Sequence, residues 1–262
     1  MHPNKFILII VIFLAISFNA NSQNANTCFA PGEILEYEVS FLGIKLGTIK
    51  LESVGIVELN KKTTYHAKTY IDSYSGIPFL SLHSIFNSWM DPSIAYSYQF
   101  VGQTRASSTQ WDYNKIVFDY EKNIITNQHW INDSMITNDK FDYKGKINDG
   151  CSLLFFARQY VDLKKTVHVP TFIDGPYSTK LNFSGKRERI KIDAIEYPVK
   201  TIYFDGKADW QGIYGLSGKF EGWFSDDNAH IPIKALMNVY VGKILIELKS
   251  WKRTGWIPPK SS

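Results

Sequence analysis

The sequence lacks most of the motifs that carry catalysis or metal binding. Its six histidines are scattered and show neither the HExxH pattern nor another paired spacing of a metal site. No G-x-S-x-G nucleophile turn, phosphate-binding loop or G-x-G-x-x-G dinucleotide motif is present. These absences exclude the enzyme classes that are built on such motifs, and the sequence predicts neither a metal site nor a cofactor.

The chain also lacks a large excess of charge of either sign. The chain carries 29 Lys and Arg against 25 Asp and Glu, a net charge of +4. A nucleic-acid-binding protein needs a denser basic surface than this. Arg187, Arg189 and Lys191 are interrupted by Glu188 and alternate as on the solvated face of a strand, so no nucleic-acid partner is expected.

Long apolar runs are confined to the N-terminus. Lys5 precedes an apolar run over residues 6–18, which is followed by a small-x-small sequence at residues 20–22. This order predicts a signal peptide over residues 1–22 and a single mature domain over residues 23–262. The run is short for a membrane span, and no later run is longer. We therefore expect an exported protein, periplasmic or secreted, with no transmembrane segment after cleavage.

Cysteine is nearly absent, since Cys28 and Cys151 are the only two. In an exported protein an even pair suggests one disulfide, which would add about 4 kcal/mol to the free energy of unfolding in the chain-entropy model. Two thiols are the alternative. Lipidation of Cys28 is disfavoured because Asn26 and Thr27 lack the small apolar character of a lipidation signal. Nothing resembles a metal-binding cysteine cluster.

What the chain does contain is alternating, aromatic-rich sequence. Phe, Trp and Tyr make up 15% of the residues, and residues 34–41 alternate between apolar and polar side chains as in a half-buried strand. Similar segments separated by turn sequences fill residues 33–147 and 165–254, and Asp205-Gly206 is predicted as a turn. We therefore predict an all-β, mainly antiparallel domain that forms a barrel or half-barrel from two meander halves.

One segment, residues 149–163, has the periodicity of a helix instead. Asp149 or Ser152 can cap its N-terminus. The apolar residues at helical spacing are Leu153, Phe156, Tyr160 and Leu163. This single helix is expected to join the two halves and to pack on the sheet.

Several of these segments together resemble a known family. They are Gly32-Glu33-x-Leu35-x-Tyr37-x-Val39, Gly43-Ile44-x-x-Gly47, Asp149-x-x-Ser152-Leu153-x-x-x-Ala157-Arg158, Phe224-Ser225-Asp226-Asp227-x-x-x-x-Pro232 and Gly242-x-Ile244-x-Ile246-x-Leu248. Their order resembles the DUF3108 family of exported bacterial proteins, which has no established activity. The resemblance implies a cell-envelope location and a β-rich fold. More loosely, and at the level of fold alone, the chain is similar to periplasmic lipoprotein carriers of the LolA type, in which a sheet wraps helices over an apolar cavity.

Two sets of charged residues are candidates for a site. Asp226, Asp227 and His230 lie together at a predicted hairpin tip, where they either bind a cation or act as acid and base, or simply close the turn. Asp149 and Arg158 either pair with each other across the helix or reach the sheet, and we interpret both as structural.

Aromatic residues are the candidates for ligand binding. They form a groove for a lipid or a glycan, or they fill the core of the sheet. The candidates are Trp89, Tyr96, Tyr98, Trp111 and Trp223, chosen from a wider set that also includes Phe100, Tyr113, Trp130 and Trp210.

These observations favour a non-enzymatic envelope protein. The leading hypothesis is that it binds a lipid or other hydrophobic ligand, or an envelope protein partner, on the concave face of the sheet. The second is an envelope hydrolase that uses Asp226, Asp227 and His230. The third is a structural or assembly factor, which would show a large exposed apolar patch without a pocket.

Overall fold

The computed structural model describes residues 28–78, 80–210, 218–239 and 242–261. The predicted signal peptide lies outside these described residues. Within them the chain forms sixteen β-strands, one α-helix and one turn of 3-10 helix. No helix in this part of the chain is long and apolar enough to cross a membrane.

Nine strands precede the helix. They are β1 (Glu33–Phe41), β2 (Ile44–Leu59), β3 (Lys62–Ser73), β4 (His83–Met90), β5 (Ser97–Arg105), β6 (Trp111–Asp119), β7 (Ile124–Ile131), β8 (Ser134–Asp142) and the two-residue β9 (Asn148–Asp149). The helix α1 (Ser152–Tyr160) and the 3-10 turn (Val161–Leu163) follow.

Seven strands come after the helix. They are β10 (Thr166–Phe172), β11 (Pro176–Asn182), β12 (Arg187–Ile192), β13 (Ile195–Ala208), β14 (Gly218–Ser225), β15 (Pro232–Asn238) and β16 (Lys243–Lys252).

All sixteen strands belong to one sheet. The strand order is β8-β7-β6-β5-β4-β3-β2-β1-β16-β15-β14-β13-β11-β10-β9, with β12 paired to β13 at the side. The two meanders therefore join through β1 and β16, the first and last strands of the described chain. Every pair is antiparallel except β9 with β10. The predicted fold class, antiparallel β with one helix on a curved sheet, is confirmed.

The predicted turn at Asp205-Gly206 is wrong. Both residues lie inside β13, where they pair with β11 and β14. A Cβ atom on Gly206 would lie 2.3 Å from the ring of Phe220 and 2.5 Å from the carbonyl oxygen of Lys180. This glycine is therefore required because two neighbours approach the backbone closely, and not because the chain reverses there.

The helix begins three residues later than predicted, and Asp149 caps it from outside. The Asp149 carboxylate accepts hydrogen bonds from the backbone amides of Cys151 (2.7 Å) and Ser152 (2.8 Å). It also accepts one from the hydroxyl of Ser88 on β4 (2.6 Å). Burial raises the pKa of Asp149, and these hydrogen bonds act in the opposite direction. One side chain thus satisfies free amides of the first turn and ties the helix to the first meander.

The helix packs against both meanders at once. Leu153, Ala157 and Val161 belong to a buried cluster formed with strands of the second meander. Phe155 points the other way and joins a buried cluster that includes Met90 of the first meander. A helix buried on two sides positions the two halves of the sheet relative to each other.

A buried ion pair anchors the end of the helix. The guanidinium of Arg158 donates two hydrogen bonds to the carboxylate of Glu33 on β1, at 2.6 and 2.9 Å. Its Nε donates a third to the carbonyl oxygen of Ala229 (2.9 Å), and Arg253 also contacts Glu33. Arg158 is 1% exposed and Glu33 is 3% exposed. Two charges this deep are tolerable only because each is paired and hydrogen-bonded.

Two aspartate-capped turns flank the helix. Asp91 closes the β4–β5 turn and Asp227 closes the β14–β15 turn, each by accepting hydrogen bonds from backbone amides of its own turn. Tyr160 donates to a carbonyl of the first turn at 3.0 Å, and Arg158 donates to Ala229 in the second. The helix is therefore attached to equivalent places in the two meanders.

Replacing Glu33 with Gln should destabilise the protein strongly, because it leaves the guanidinium of Arg158 buried without its counter-charge. Breaking a buried ion pair costs about 3–5 kcal/mol, and urea unfolding followed by tryptophan fluorescence measures the loss. The control Glu121→Gln breaks the exposed pair with Lys62 (3.2 Å) and should leave the free energy of unfolding nearly unchanged. Equal losses in the two variants would contradict this account.

The stabilising effect of Glu33 should depend on pH. Burial raises its pKa, but the charges and hydrogen bonds of Arg158 and Arg253 outweigh burial and hold the pKa below its ordinary value. A lowered pKa adds stability above the unfolded-state value, about 4.3, and that stability is lost as the pH falls through the folded-state value. The difference in free energy of unfolding between wild type and Glu33→Gln should therefore be constant near neutral pH and shrink below about pH 4. Urea titrations at a series of pH values measure it, and a difference independent of pH would refute the assignment.

Candidate functional site

A large apolar cavity lies between the helix and the curved sheet. Its volume is about 710 Å³, within the range of about 300–1,000 Å³ that small-molecule sites occupy. The helix contributes Leu153, Leu154 and Ala157 to its lining. The sheet contributes aliphatic and aromatic side chains from both meanders: Ile49, Leu51, Ile71, Phe86, Phe100, Leu181, Phe204, Phe220, Met237 and Ile246.

Strand alternation explains why these residues face inward. Phe86 on β4 and Phe100 on β5 contact each other, with ring centroids 5.7 Å apart. Phe204 on β13 and Phe220 on β14 do the same in the second meander at 6.2 Å. Successive side chains of a strand point to opposite faces of the sheet. The residues directly before and after each of these inward-facing aromatics therefore lie on the outer face.

The cavity has a polar stretch on one wall. Thr104 on β5, Asp112 and Asn114 on β6, and His129 on β7 all contribute to the lining. Asp112 accepts a hydrogen bond from Gln110 (3.1 Å). Other walls of the cavity also carry polar or charged residues, among them Lys219, Glu221 and Lys234.

The five aromatic residues selected as ligand-binding candidates lie outside the cavity, whereas Phe100, Tyr113 and Trp210 of the wider set line it. Trp89 stacks on His66 with ring centroids 4.5 Å apart, and Trp111 contacts His83 edge-on at 5.5 Å. Trp223 donates a hydrogen bond from its indole to Glu188 (2.7 Å). These three tryptophans occupy the strand positions that face away from the cavity.

The two predicted tyrosines are also elsewhere. Tyr96 and Tyr98 form a cluster with Tyr120, with centroids 5.2 and 6.0 Å from its ring. The ammonium of Lys146 lies 4.1 Å from the ring centroid of Tyr96, a cation–π contact. None of these three tyrosines lines the cavity.

The aspartates and histidine proposed as catalytic residues are turn residues. Asp227 accepts hydrogen bonds from Ser225 (2.9 Å) and from the indole of Trp256 (2.8 Å), in addition to backbone amides of its turn. Asp226 pairs with Arg187 at 3.3 Å. The acceptor positions of Asp227 are therefore used in holding the turn, and these side chains do not line the cavity.

A second arrangement at this turn has the residue types of a thiol protease but not its chemistry. Cys28 Sγ lies 3.4 Å from His230 Nδ1, and Asp162 lies 3.2 Å from His230 Nε2. However, Nδ1 also lies 3.0 Å from the carbonyl oxygen of Arg158. Because a carbonyl oxygen only accepts a hydrogen bond, Nδ1 carries the hydrogen of this contact and cannot act as a base toward the thiol. Burial further raises the pKa of Cys28 to about 11. A reactive cysteine needs the opposite shift.

The predicted disulfide is not formed. Cys28 and Cys151 are thiols in the structure, which is the alternative that the sequence left open. Cys28 is 4% exposed, whereas Cys151 lies on the cavity wall. Burial and the nearby charge of Asp149 raise the pKa of Cys151 as well.

The predicted structural residues Asp149 and Arg158 do not pair with each other. Each reaches the sheet instead, Asp149 at Ser88 and Arg158 at Glu33. In the described ranges no group of three or more His, Cys, Asp or Glu is arranged to hold a metal ion. Sequence reasoning did not identify Phe86, although the alternation of β4 and β5 would have marked Phe86 and Phe100 as sharing a face once the strand register was known.

Both thiols should be present and slow to react in the native protein. A charged aromatic disulfide reagent such as DTNB at pH 7.5 should label neither rapidly, because both pKa values are raised and Cys28 is buried. In denaturant without a reductant it should titrate two thiols per chain. Denatured, unreduced protein that releases none would instead establish the disulfide.

The comparisons with known proteins agree with this architecture. The family model DUF3108, described as a protein of unknown function, matches residues 36–249. The structure is similar to the crystal structure of a beta-barrel-like protein of domain of unknown function DUF1849 from Brucella abortus. The TM-score is 0.54 at 11% identity, covering 84% of this chain and 95% of that chain. At that identity the likeness shows the fold alone. Among curated proteins none matches. Because the family model matches most of this chain, the chain belongs to the DUF3108 family.

Proposed function

We propose that this protein is a non-enzymatic binding protein of the cell envelope that holds an apolar ligand in the cavity beneath the helix. The observation that carries the proposal is the cavity itself, about 710 Å³ in volume and lined mainly by aliphatic and aromatic side chains from both meanders. An apolar chain transferred from water into such a site gains about 0.8 kcal/mol for each buried methylene group. A ligand of lipid-like length therefore binds without many specific contacts.

The envelope location rests on the signal peptide predicted at residues 1–22 and on the family resemblance. A curved sheet wrapped over an apolar cavity also agrees with the looser similarity to lipoprotein carriers. Carrier function needs a cavity that accepts chains of different length more than it needs a reactive group.

The two alternative functions have less support. The hydrolase hypothesis depends on Asp226, Asp227 and His230, whose side chains are engaged in the β14–β15 turn and its neighbours. The assembly hypothesis depends on an apolar patch without a pocket, whereas the main apolar feature of this fold is the cavity.

Filling the cavity should abolish ligand binding. Ala235 on β15 lines the cavity, and Ala235→Trp places an indole inside it. We expect the dissociation constant for a fluorescent fatty-acid analogue to rise at least about tenfold, because the indole takes the volume that the chain would occupy. Co-purifying lipid detected by native mass spectrometry should disappear in the same variant.

The matched control is Leu236→Trp. Leu236 is the next residue of the same strand, on the opposite face, and is not part of the cavity lining. This variant should bind the probe like wild type. If wild type binds no apolar probe, or if both tryptophan variants bind it equally well, the cavity is not a ligand site.

A further inference from the structure

Exposed apolar side chains gather at the end of the sheet that lies away from the helix. Because neighbouring strands are antiparallel, the β1–β2, β3–β4, β5–β6, β7–β8 and β10–β11 turns share this end, which we call the free rim. The described residues leave nine large apolar side chains exposed. Five of them lie in or beside turns of the free rim: Leu42, Ile44, Met135, Ile136 and Tyr177. Apolar side chains gathered at one end of a protein indicate an interaction surface.

The β1–β2 turn presents the most exposed of these side chains. Leu42 is 78% exposed and Ile44 is 59% exposed. Leu42 and Gly43 both have positive φ angles, 49° and 81°, as in the two-residue hairpin turn that ordinarily contains Asn-Gly. A leucine side chain is disfavoured in this backbone conformation and is also disfavoured in water. Leu42 therefore suits neither the turn nor the solvent, and an apolar partner outside the chain accounts for its position.

The apolar cavity reaches the same end of the molecule. Thr104 near the end of β5, Ala208 at the end of β13 and Met237 near the end of β15 all line it. Lys219 lines the cavity and is also exposed, so the cavity meets the solvent here. The helix lines the cavity from the opposite end, where it is attached to the β4–β5 and β14–β15 turns. The exposed apolar tips therefore stand beside the mouth of the cavity.

The spacing of the tips fits a lipid bilayer better than a protein partner. A stable protein interface buries about 800 Å² on each partner in one complementary patch. Here the β1–β2 and β7–β8 turns are separated by four strands, about 24 Å across the sheet at the ordinary strand spacing. A bilayer is apolar beneath its headgroups over any such span and needs no matching shape, so that separate narrow tips can enter it together.

The charges beside the β1–β2 turn do not form a basic patch. Lys45 pairs with Glu38 at 2.9 Å, and Lys243 on the adjacent strand pairs with Glu221 at 2.7 Å. Unpaired lysines at such a site would attract anionic headgroups, whereas these carboxylates offset that attraction. Contact with a membrane should therefore depend on apolar insertion and only weakly on lipid charge.

We propose that the free rim contacts a lipid bilayer, with Leu42 and Ile44 inserted at the boundary between headgroups and acyl chains. This contact goes beyond the proposed function, because it assigns a membrane-binding surface outside the cavity. It places the mouth of the cavity against the bilayer, so that an apolar ligand can pass between them without crossing water.

The test is flotation of the mature chain with vesicles of phosphatidylcholine, alone or mixed with phosphatidylglycerol. Wild type should bind both kinds of vesicle to a similar extent. The variant Leu42→Asn/Ile44→Thr should lower the partition coefficient at least about tenfold, because two apolar side chains are lost from the bilayer. Both substitutions suit the local backbone, since asparagine favours the turn and threonine favours the strand, and circular dichroism checks the fold.

The matched control is Val54→Thr/Ile56→Thr. These residues lie on the same strand, near its other end, and Ile56 is 58% exposed. This variant should bind vesicles like wild type. Leu42 and Ile44 do not line the cavity, so the rim variant should also keep its affinity for the fluorescent fatty-acid analogue in the absence of vesicles.

An environment-sensitive fluorophore shows which surface enters the bilayer. NBD attached to Leu42→Cys should shift its emission to shorter wavelength and brighten when phosphatidylcholine vesicles are added. The same label on Ile56→Cys should not respond. A response at both positions, or at neither, would overturn insertion through the free rim.

The remaining outcomes separate this proposal from the others. If wild type does not float with either vesicle, or floats only with the anionic one, apolar insertion is overturned while ligand binding in the cavity stands on its own test. Equal flotation of wild type and the rim variant would likewise overturn it. If sedimentation without vesicles shows that wild type self-associates and the rim variant does not, the free rim binds a second copy of the chain and the membrane assignment is wrong.

Discussion

The buried contact between Arg158 and Glu33 is the constraint on which the architecture depends. It joins the end of the only α-helix in the described chain to β1, the strand at the centre of the sheet. Through Ala229 and Arg253 it also reaches the second meander. A guanidinium buried at this depth needs every one of these partners. The contact therefore determines where the helix lies, and the position of the helix determines which part of the concave surface stays uncovered.

The cavity is a consequence of that arrangement. The helix is nine residues long, with one further 3-10 turn, whereas the sheet that surrounds it has sixteen strands. A single short helix cannot fill the space enclosed by so wide a sheet, and a curved sheet cannot collapse onto it without losing strand pairing. The remaining space is lined by the side chains that the two meanders turn inward. Elsewhere the described chain packs its buried apolar residues into four clusters. At the cavity this close packing is interrupted, as is expected of a ligand-binding site.

Local sequence patterns predicted the strands and the helix more reliably than the roles of individual residues. The alternation of residues 34–41 marked a strand, and the spacing of Leu153 and Phe156 marked the helix, because both periodicities are local properties. Asp205-Gly206 was misinterpreted because the same dipeptide occurs in turns and at close backbone approaches. Only the distant neighbours Lys180 and Phe220 distinguish the two cases. The tryptophans were expected to line a groove for a lipid or a glycan because they are aromatic, but residue type does not reveal the face on which a strand residue lies. Phe86 and Phe100 line the cavity because the register of β4 against β5 places them on the same side.

The sequence by itself determined the fold class, the existence of one helix and the absence of recognisable catalytic motifs, since strand alternation, helical spacing and motif content are all contained in short stretches of chain. Only the tertiary structure decided that Arg158 pairs with Glu33 and not with Asp149, that the cysteines are thiols, and that side chains of both meanders line one cavity. Each of these depends on contacts between residues far apart in the chain. Burial, charge pairing and strand register act at such distances through space, and no local pattern in the sequence records them.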